Sequence, residues 1–252
     1  MKKETVRSLK KAKIENNKLN MLTCYDFQTA QLLNGTNINL ILVGDSLGNV
    51  ILGYDTTVEV SLTEMKIFGS AVKRGAPNKF VVVDMPFGAY STFDQAVENS
   101  VQLFKDTKAE AIKLEGADDF HLEVIKRLTS IGVPVMGHIG LMPQSVHQMG
   151  GYYTHGKNEE SENRLTKQAF DLQAAGCFSI VLECVEANVA SKISFGLEIP
   201  TIGIGSGAEV DGQVLVINDL LKMGKTMPPK FCTPIADLYE TKRNLIEGYL
   251  SK

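Results

Sequence analysis

Eight short runs of apolar residues recur along the chain at intervals too long for hairpins. They read MLTCYD (21–26), LILVGD (40–45), FVVVDMP (80–86), AIKLEG (111–116), PVMGHIG (134–140), SIVLECV (179–185), PTIGIGSG (200–207) and QVLVIND (213–219). Apolar residues that run on without polar alternation are the mark of strands buried on both faces, as in a parallel sheet. Between most runs lie segments of helical period. DQAVENSVQLFKDT (94–107) sets Ala96, Val97, Val101, Leu103 and Phe104 on one broad stripe. DDFHLEVIKRLTSIG (118–132) does the same with Phe120, Leu122, Ile125 and Leu128, ends on Gly132, and yields to Pro134 at the next strand. Strand and helix alternating without a break predicts a parallel sheet with crossover helices. Eight repeats favour a closed (β/α)8 (TIM) barrel, with an open doubly wound sheet as the alternative. No Ser/Pro-rich linker divides the chain. One domain over 1–252 is expected, with a helical extension over about 1–20 and a helical region over about 220–252.

Composition narrows the function. A length of 252 residues, 44% of them hydrophobic, suffices for one large core. A net charge of −3 gives no electrostatic reason to expect nucleic acid or an anionic membrane as partner. The lysine-rich start is interrupted by Glu4 and Glu15 and no apolar stretch follows, so neither a secretory signal nor a membrane span is expected. Cys24, Cys177, Cys184 and Cys232 show no C-x-x-C or zinc spacing and read as reduced thiols of a cytosolic protein.

The ends of the apolar runs carry the candidate chemistry. In a barrel the active site lies at the C-terminal ends of the strands, and those ends hold Asp45, Asp84, Lys113 with Glu115, His138 and Glu183. Lys113 and Glu115 are two apart and share one side of a strand. A single carboxylate at such a place is most often a helix cap or a loop acid. Four of them, with a lysine and a histidine, carry like charge whose uncompensated burial is very costly, so a cation is expected among them. Oxygen ligands suit Mg²⁺ first and Mn²⁺ second. Such an ion chelates a 2-oxo acid and acidifies the neighbouring C–H, a carboxylate takes the proton, and lysine stabilises the enolate. The reaction class is metal-assisted proton abstraction beside a carbonyl.

Other motifs are weaker. GIGSG (203–207) is either a tight turn at the barrel mouth or a ligand loop. HQMGGYYTHGKNEE (147–160) suits a mobile lid. His147 and His155 read as loop histidines, His121 as an exposed helix residue, and Asp211 and Asp219 as turn or cap residues around the last strand.

The segments MLTCYD, ILVGDSLGNVILGYDTT, VVVDMPFGAY, IKLEG, VMGHIGLMPQSVHQMGGY, VLECV and IGIGSGAEVDGQVLVINDLL resemble the ketopantoate hydroxymethyltransferase family. They span 21 to about 221. The resemblance implies a (β/α)8 barrel of the phosphoenolpyruvate/pyruvate type. It implies transfer of a hydroxymethyl group from 5,10-methylenetetrahydrofolate to 3-methyl-2-oxobutanoate through a Mg-stabilised enolate, giving 2-dehydropantoate (ketopantoate) for pantothenate and coenzyme A. On that pattern Asp45, Asp84 and Glu115 form the magnesium set, the last through water. Asp45, Ser46, Asp84 and Lys113 hold the oxo acid, His138 lines the site, and Glu183 is the proton acceptor. A cytoplasmic homo-oligomer, a homodecamer, is also implied. The chain departs from the family pattern at Phe68 (usually His), Ala89 (Ser), Ser206 (Ala), Thr154-His155 (Val-Gln), Asn218, Lys222-Met223 and the C-terminus, none of them a metal or base position. Two rivals stand beside this reading. One is a lyase or mutase of the isocitrate lyase type, whose Lys-Lys-Cys-Gly-His loop is missing here. The other is a barrel that merely binds a small acid.

Overall fold

The computed structural model describes residues 3–252. Its eight strands are β1 (Leu19–Thr23), β2 (Leu40–Val43), β3 (Phe80–Asp84), β4 (Ala111–Glu115), β5 (Val135–Gly140), β6 (Ser179–Glu183), β7 (Thr201–Ile204) and β8 (Gly212–Leu215). They close in sequence order into an all-parallel barrel, β8 pairing back onto β1. The helices are α1 (Val6–Ile14), α2 (Phe27–Asn34), α3 (Leu62–Gly75), α4 (Phe93–Thr107), α5 (Asp119–Ser130), α6 (Val146–Met149), α7 (Glu159–Ala175), α8 (Ala187–Gly196), α9 (Ile217–Leu220) and α10 (Leu238–Leu250). The expected barrel is therefore present, and the open sheet is excluded.

Two sequence expectations shift at the edges. β1 begins at Leu19, inside the expected extension, because Asn20 and Gln213 of its partner strand are exposed polar residues that break the apolar run without breaking the ladder. The final run gives a strand only to Leu215, and its remainder turns into α9.

Local chemistry sets the helix boundaries. Asp26, Asp118 and Asn158 each accept a hydrogen bond from a first-turn N–H. Thr5–Ser8 and Ser61–Glu64 form reciprocal caps, which satisfy donors the helix leaves orphaned. α7 carries Glu159, Glu160 and Glu162 at its N-terminus, where the helix dipole favours negative charge.

The core has two shells. One lies between barrel and helices, from Ile41, Val43, Val81, Val83 and Ile112 of the strands to Met65, Leu103, Leu128 and Leu172 of the helices. The other fills the barrel: Leu19, Met21, Leu40, Leu42, Phe80, Val82, Ala111, Met136, Val181, Ile202 and Val214 point inward, and Leu9 of α1 closes the bottom. The inward positions alternate along each strand. Phe80 and Val82 are followed inward by Asp84, Ala111 by Lys113 and Glu115, Met136 by His138, and Val181 by Glu183. The polar residues are thus the upper layer of the barrel's own interior ladder.

Candidate active site

Asp45, Ser46, Asp84, Lys113, Glu115, His138 and Glu183 line one cavity of about 150 Å³ at the C-terminal ends of the strands. Strand register sets them side by side. Asp84 is the direct neighbour of Lys113, Glu115 of His138, and Glu183 of Gly140. Gly140 is required at that last contact, since its φ is +98° and an added Cβ would lie 2.2 Å from the Glu183 carbonyl oxygen.

The side chains form one ionic network. Lys113 Nζ lies 3.1 Å from Asp84 Oδ2, 3.9 Å from Glu115 Oε1 and 3.3 Å from His138 Nδ1. His138 Nδ1 is 3.3 Å from Glu115 Oε1. Its Nε2 faces Glu183 Oε2 across the same distance, 3.3 Å, close enough for charge attraction but without hydrogen-bond alignment. Burial and Lys113 push the imidazole down, but Glu115 and Glu183 outweigh them and lift it to about 9. Burial also works against the Lys113 ammonium, yet Asp84, Glu115 and Asp45 hold it charged, above its ordinary range. Glu115 is buried too, and His138, Lys113 and the Gln144 N–H keep it below the usual carboxylate value. Asp45 and Asp84 go the other way. Burial raises both, Glu115 adds to each, and Asp84 adds to Asp45.

Four carboxylates thus face two cationic side chains, and the excess negative charge falls on the Asp45–Asp84 side. Asp84 Oδ1 is buried there without a partner. Both observations fit a divalent cation held by Asp45 and Asp84. Among the described residues no group of three or more His, Cys, Asp and Glu side chains is already placed to hold a metal ion.

Sequence reasoning missed a further layer. Gln144, on the turn after β5, is buried and donates Nε2 hydrogen bonds to Asp45 Oδ2 (2.7 Å) and the Met85 carbonyl (2.9 Å). Its backbone N–H donates to Glu115 Oε2 (3.2 Å), and the Tyr90 hydroxyl donates to its Oε1. Tyr25 OH shares a 2.8 Å hydrogen bond with Ser46 Oγ, and Thr57 Oγ1 is buried in the cavity wall with no partner. These residues stand outside the strands, Thr57 and Gln144 in single 3-10 turns, where no strand period marks them. Gln144 was visible only as part of the MPQSV string.

The weaker motifs divide. GIGSG is a structural turn: Ser206 Oγ donates to the Leu182 carbonyl (2.8 Å) and accepts from Val185 N (3.0 Å). The connection 147–160 contributes Tyr152 to the cavity, but its later part is pinned. His155 lies buried in this connection: its backbone N–H donates to the Cys184 carbonyl (2.8 Å), its carbonyl accepts from Glu186 N (2.8 Å), and its ring stacks on Tyr153. His147 is exposed on α6. His121, expected exposed, is half-buried beneath Tyr90 and Phe120 with Nδ1 on Asp118 (2.6 Å). Asp219 sits in the first turn of α9, a helix with no side-chain capping hydrogen bond at its N-terminus. Asp211 is more than a turn residue, since its Oδ2 accepts from Lys13 Nζ (2.7 Å), Thr201 N (2.8 Å) and Ser194 Oγ (3.1 Å). Cys24, Cys177, Cys184 and Cys232 are all free thiols. No helix among the described residues is long and apolar enough to cross a membrane.

Solved structures of similar fold include phosphoenolpyruvate phosphomutase from Streptomyces platensis subsp. rosaceus (TM-score 0.66, 10% identity, 98% of this chain and 87% of that one). They also include 2,3-dimethylmalate lyase, a PEP mutase/isocitrate lyase superfamily member (TM-score 0.64, 14% identity, 98% and 86%). At such identities the likeness is one of fold. The 3-methyl-2-oxobutanoate hydroxymethyltransferase of Thermotoga neapolitana is 48% identical over 237 residues, 94% of this chain and 87% of that protein. The enzyme of the same name from Exiguobacterium sp. is 46% identical over 249 residues, 98% and 90%. A family model described as ketopantoate hydroxymethyltransferase matches residues 3–252. By that match and these relatives, the chain belongs to the ketopantoate hydroxymethyltransferase family of enzymes.

Proposed function

We propose that this enzyme transfers a hydroxymethyl group from 5,10-methylenetetrahydrofolate to 3-methyl-2-oxobutanoate, forming 2-dehydropantoate on the route to pantothenate. The observation that carries the reading is the excess of buried carboxylate at Asp45 and Asp84 beside Lys113, with a further acid, Glu183, at the rim. Asp45 and Asp84 would hold Mg²⁺, or Mn²⁺, with Glu115 acting through water. When bound, the ion supplies a Lewis acid that polarises the keto group and acidifies the C3–H. Glu183 then removes the C3 proton. Lys113 donates to the oxygen on which negative charge develops, and the charged His138 stabilises the same side of the cavity. Ser46, oriented by Tyr25, receives the substrate carboxylate. Water opens the methylene bridge of the folate, both C–N bonds breaking so that tetrahydrofolate leaves. The nucleophilic C3 attacks the one-carbon unit released at the formaldehyde level, whose oxygen takes up a proton and becomes the hydroxyl of the product.

Four thiols without a disulfide suit a reducing cytoplasm. We also infer a homo-oligomer, a decamer on the family pattern. Support comes from α10, which buries none of its 13 residues and leaves Leu245, Ile246, Tyr249 and Leu250 exposed. The direct test of function is product formation: purified protein with Mg²⁺, the oxo acid and methylenetetrahydrofolate is expected to yield 2-dehydropantoate, and chelator is expected to stop it. Binding of the oxo acid with no product under these conditions would leave a binding barrel instead.

A further inference from the structure

Gln144 uses every hydrogen-bonding group of its side chain. A primary amide has two N–H donors and one acceptor oxygen. Here the donors meet Asp45 Oδ2 and the Met85 carbonyl, and the oxygen receives the Tyr90 hydroxyl. The orientation is dictated, since turning the amide over would set its oxygen against a carboxylate and a carbonyl. The residue is 4% exposed, so no solvent replaces a lost partner. Its effect on the two acids differs. Asp45 has Oδ2 occupied, which leaves Oδ1 for a cation. Glu115 has Oε2 on the Gln144 backbone N–H and Oε1 facing His138 Nδ1 at 3.3 Å, so both of its oxygens are engaged by protein.

We propose that Gln144, locked by Tyr90, is a positioning residue that selects Oδ1 of Asp45 as the oxygen offered to the divalent cation and holds Glu115 back against the protein. This rests on the reading that the acid cluster holds such an ion. The test is Mn²⁺ titration of the free enzyme by electron paramagnetic resonance, without either substrate, with circular dichroism as the check on folding. Gln144→Met keeps the shape and removes both donors, and Mn²⁺ affinity is expected to fall about 10- to 100-fold, the range for loss of a group that orients a ligand. Tyr90→Phe keeps the amide but frees it, and is expected to weaken binding in the same direction by less. It also decides the matter if Gln144→Met does not fold. Gln144→Glu separates hydrogen bonding from charge: an added carboxylate strengthens Mn²⁺ binding if net charge alone matters, and weakens it if the amide donors matter. Wild-type affinity in a folded Gln144→Met, or in Tyr90→Phe where Gln144→Met does not fold, or tighter binding by Gln144→Glu, would overturn the proposal. A wild-type enzyme that binds no Mn²⁺ would instead overturn the metal reading beneath it.

Discussion

Glu183 sits at the cavity rim, half-buried, while Asp45, Asp84 and Glu115 lie buried beneath it. A base must meet solvent to exchange its proton, and a ligand acid need not. In D₂O, with Mg²⁺ and no folate, the enzyme is therefore expected to exchange the C3 hydrogen of 3-methyl-2-oxobutanoate, visible by proton NMR. Glu183→Gln should slow that exchange about a hundredfold or more, while Mn²⁺ binding stays near normal. Exchange at the wild-type rate would move the base elsewhere. His155 makes a separate prediction about stability. Burial and the nearby Arg164 hold its imidazole below the ordinary value of 6.5, with Glu183 opposing. The unfolded chain then takes the proton first. A loss of stability should set in as pH falls below about 6.5 and grow until the folded-state pKa is passed, and His155→Gln should flatten that part of a pH–urea profile. The acids were legible in the sequence because each ends an apolar run. Gln144, Tyr25 and Thr57 were not, because what marks them is a partner far along the chain, and no local period encodes it.

At the level of elements, the site is an edge between β5 and β6. Gly140 opposes Glu183, and the Glu183 carbonyl also accepts from Leu141 N at 2.8 Å. Gly140→Ala would force both a positive φ and a collision with backbone. We expect a cost of roughly 1–2 kcal/mol from the left-handed backbone alone, more from the displaced strand end, and a fall in kcat as Glu183 shifts. Thermal unfolding and steady-state kinetics on the same variant check both, and a variant that loses stability but keeps full kcat would show that the strand end adapts. The strands themselves were readable from continuous apolarity, and their order followed from alternation with helices. Their edges were not. Asn20 and Gln213 face outward on a paired seam, and polarity at an exposed position hides a strand from a pattern that seeks burial on both faces.

For the whole molecule, the exposed apolar face of α10 is the feature that an isolated barrel does not explain. Light scattering after gel filtration should give a mass of several subunits for the full chain. A chain ending at Ala236 should give a smaller particle whose barrel still unfolds cooperatively. A monomeric full chain would count against assembly. One further consequence comes from the seam that closes the barrel. Leu19 N donates to the Asp211 carbonyl at 2.9 Å, Lys13 reaches the Asp211 carboxylate across 198 positions, and β1 finds its second neighbour only in β8. Contacts of that sequence separation are the slowest to form. On the ribosome, β1 must wait with one edge unpaired until Leu215 has emerged, so the seam zips last. A stalled chain a few residues short of β8 should remain protease-sensitive along its entire length, and release of the next dozen residues should convert it to the resistant state in one step.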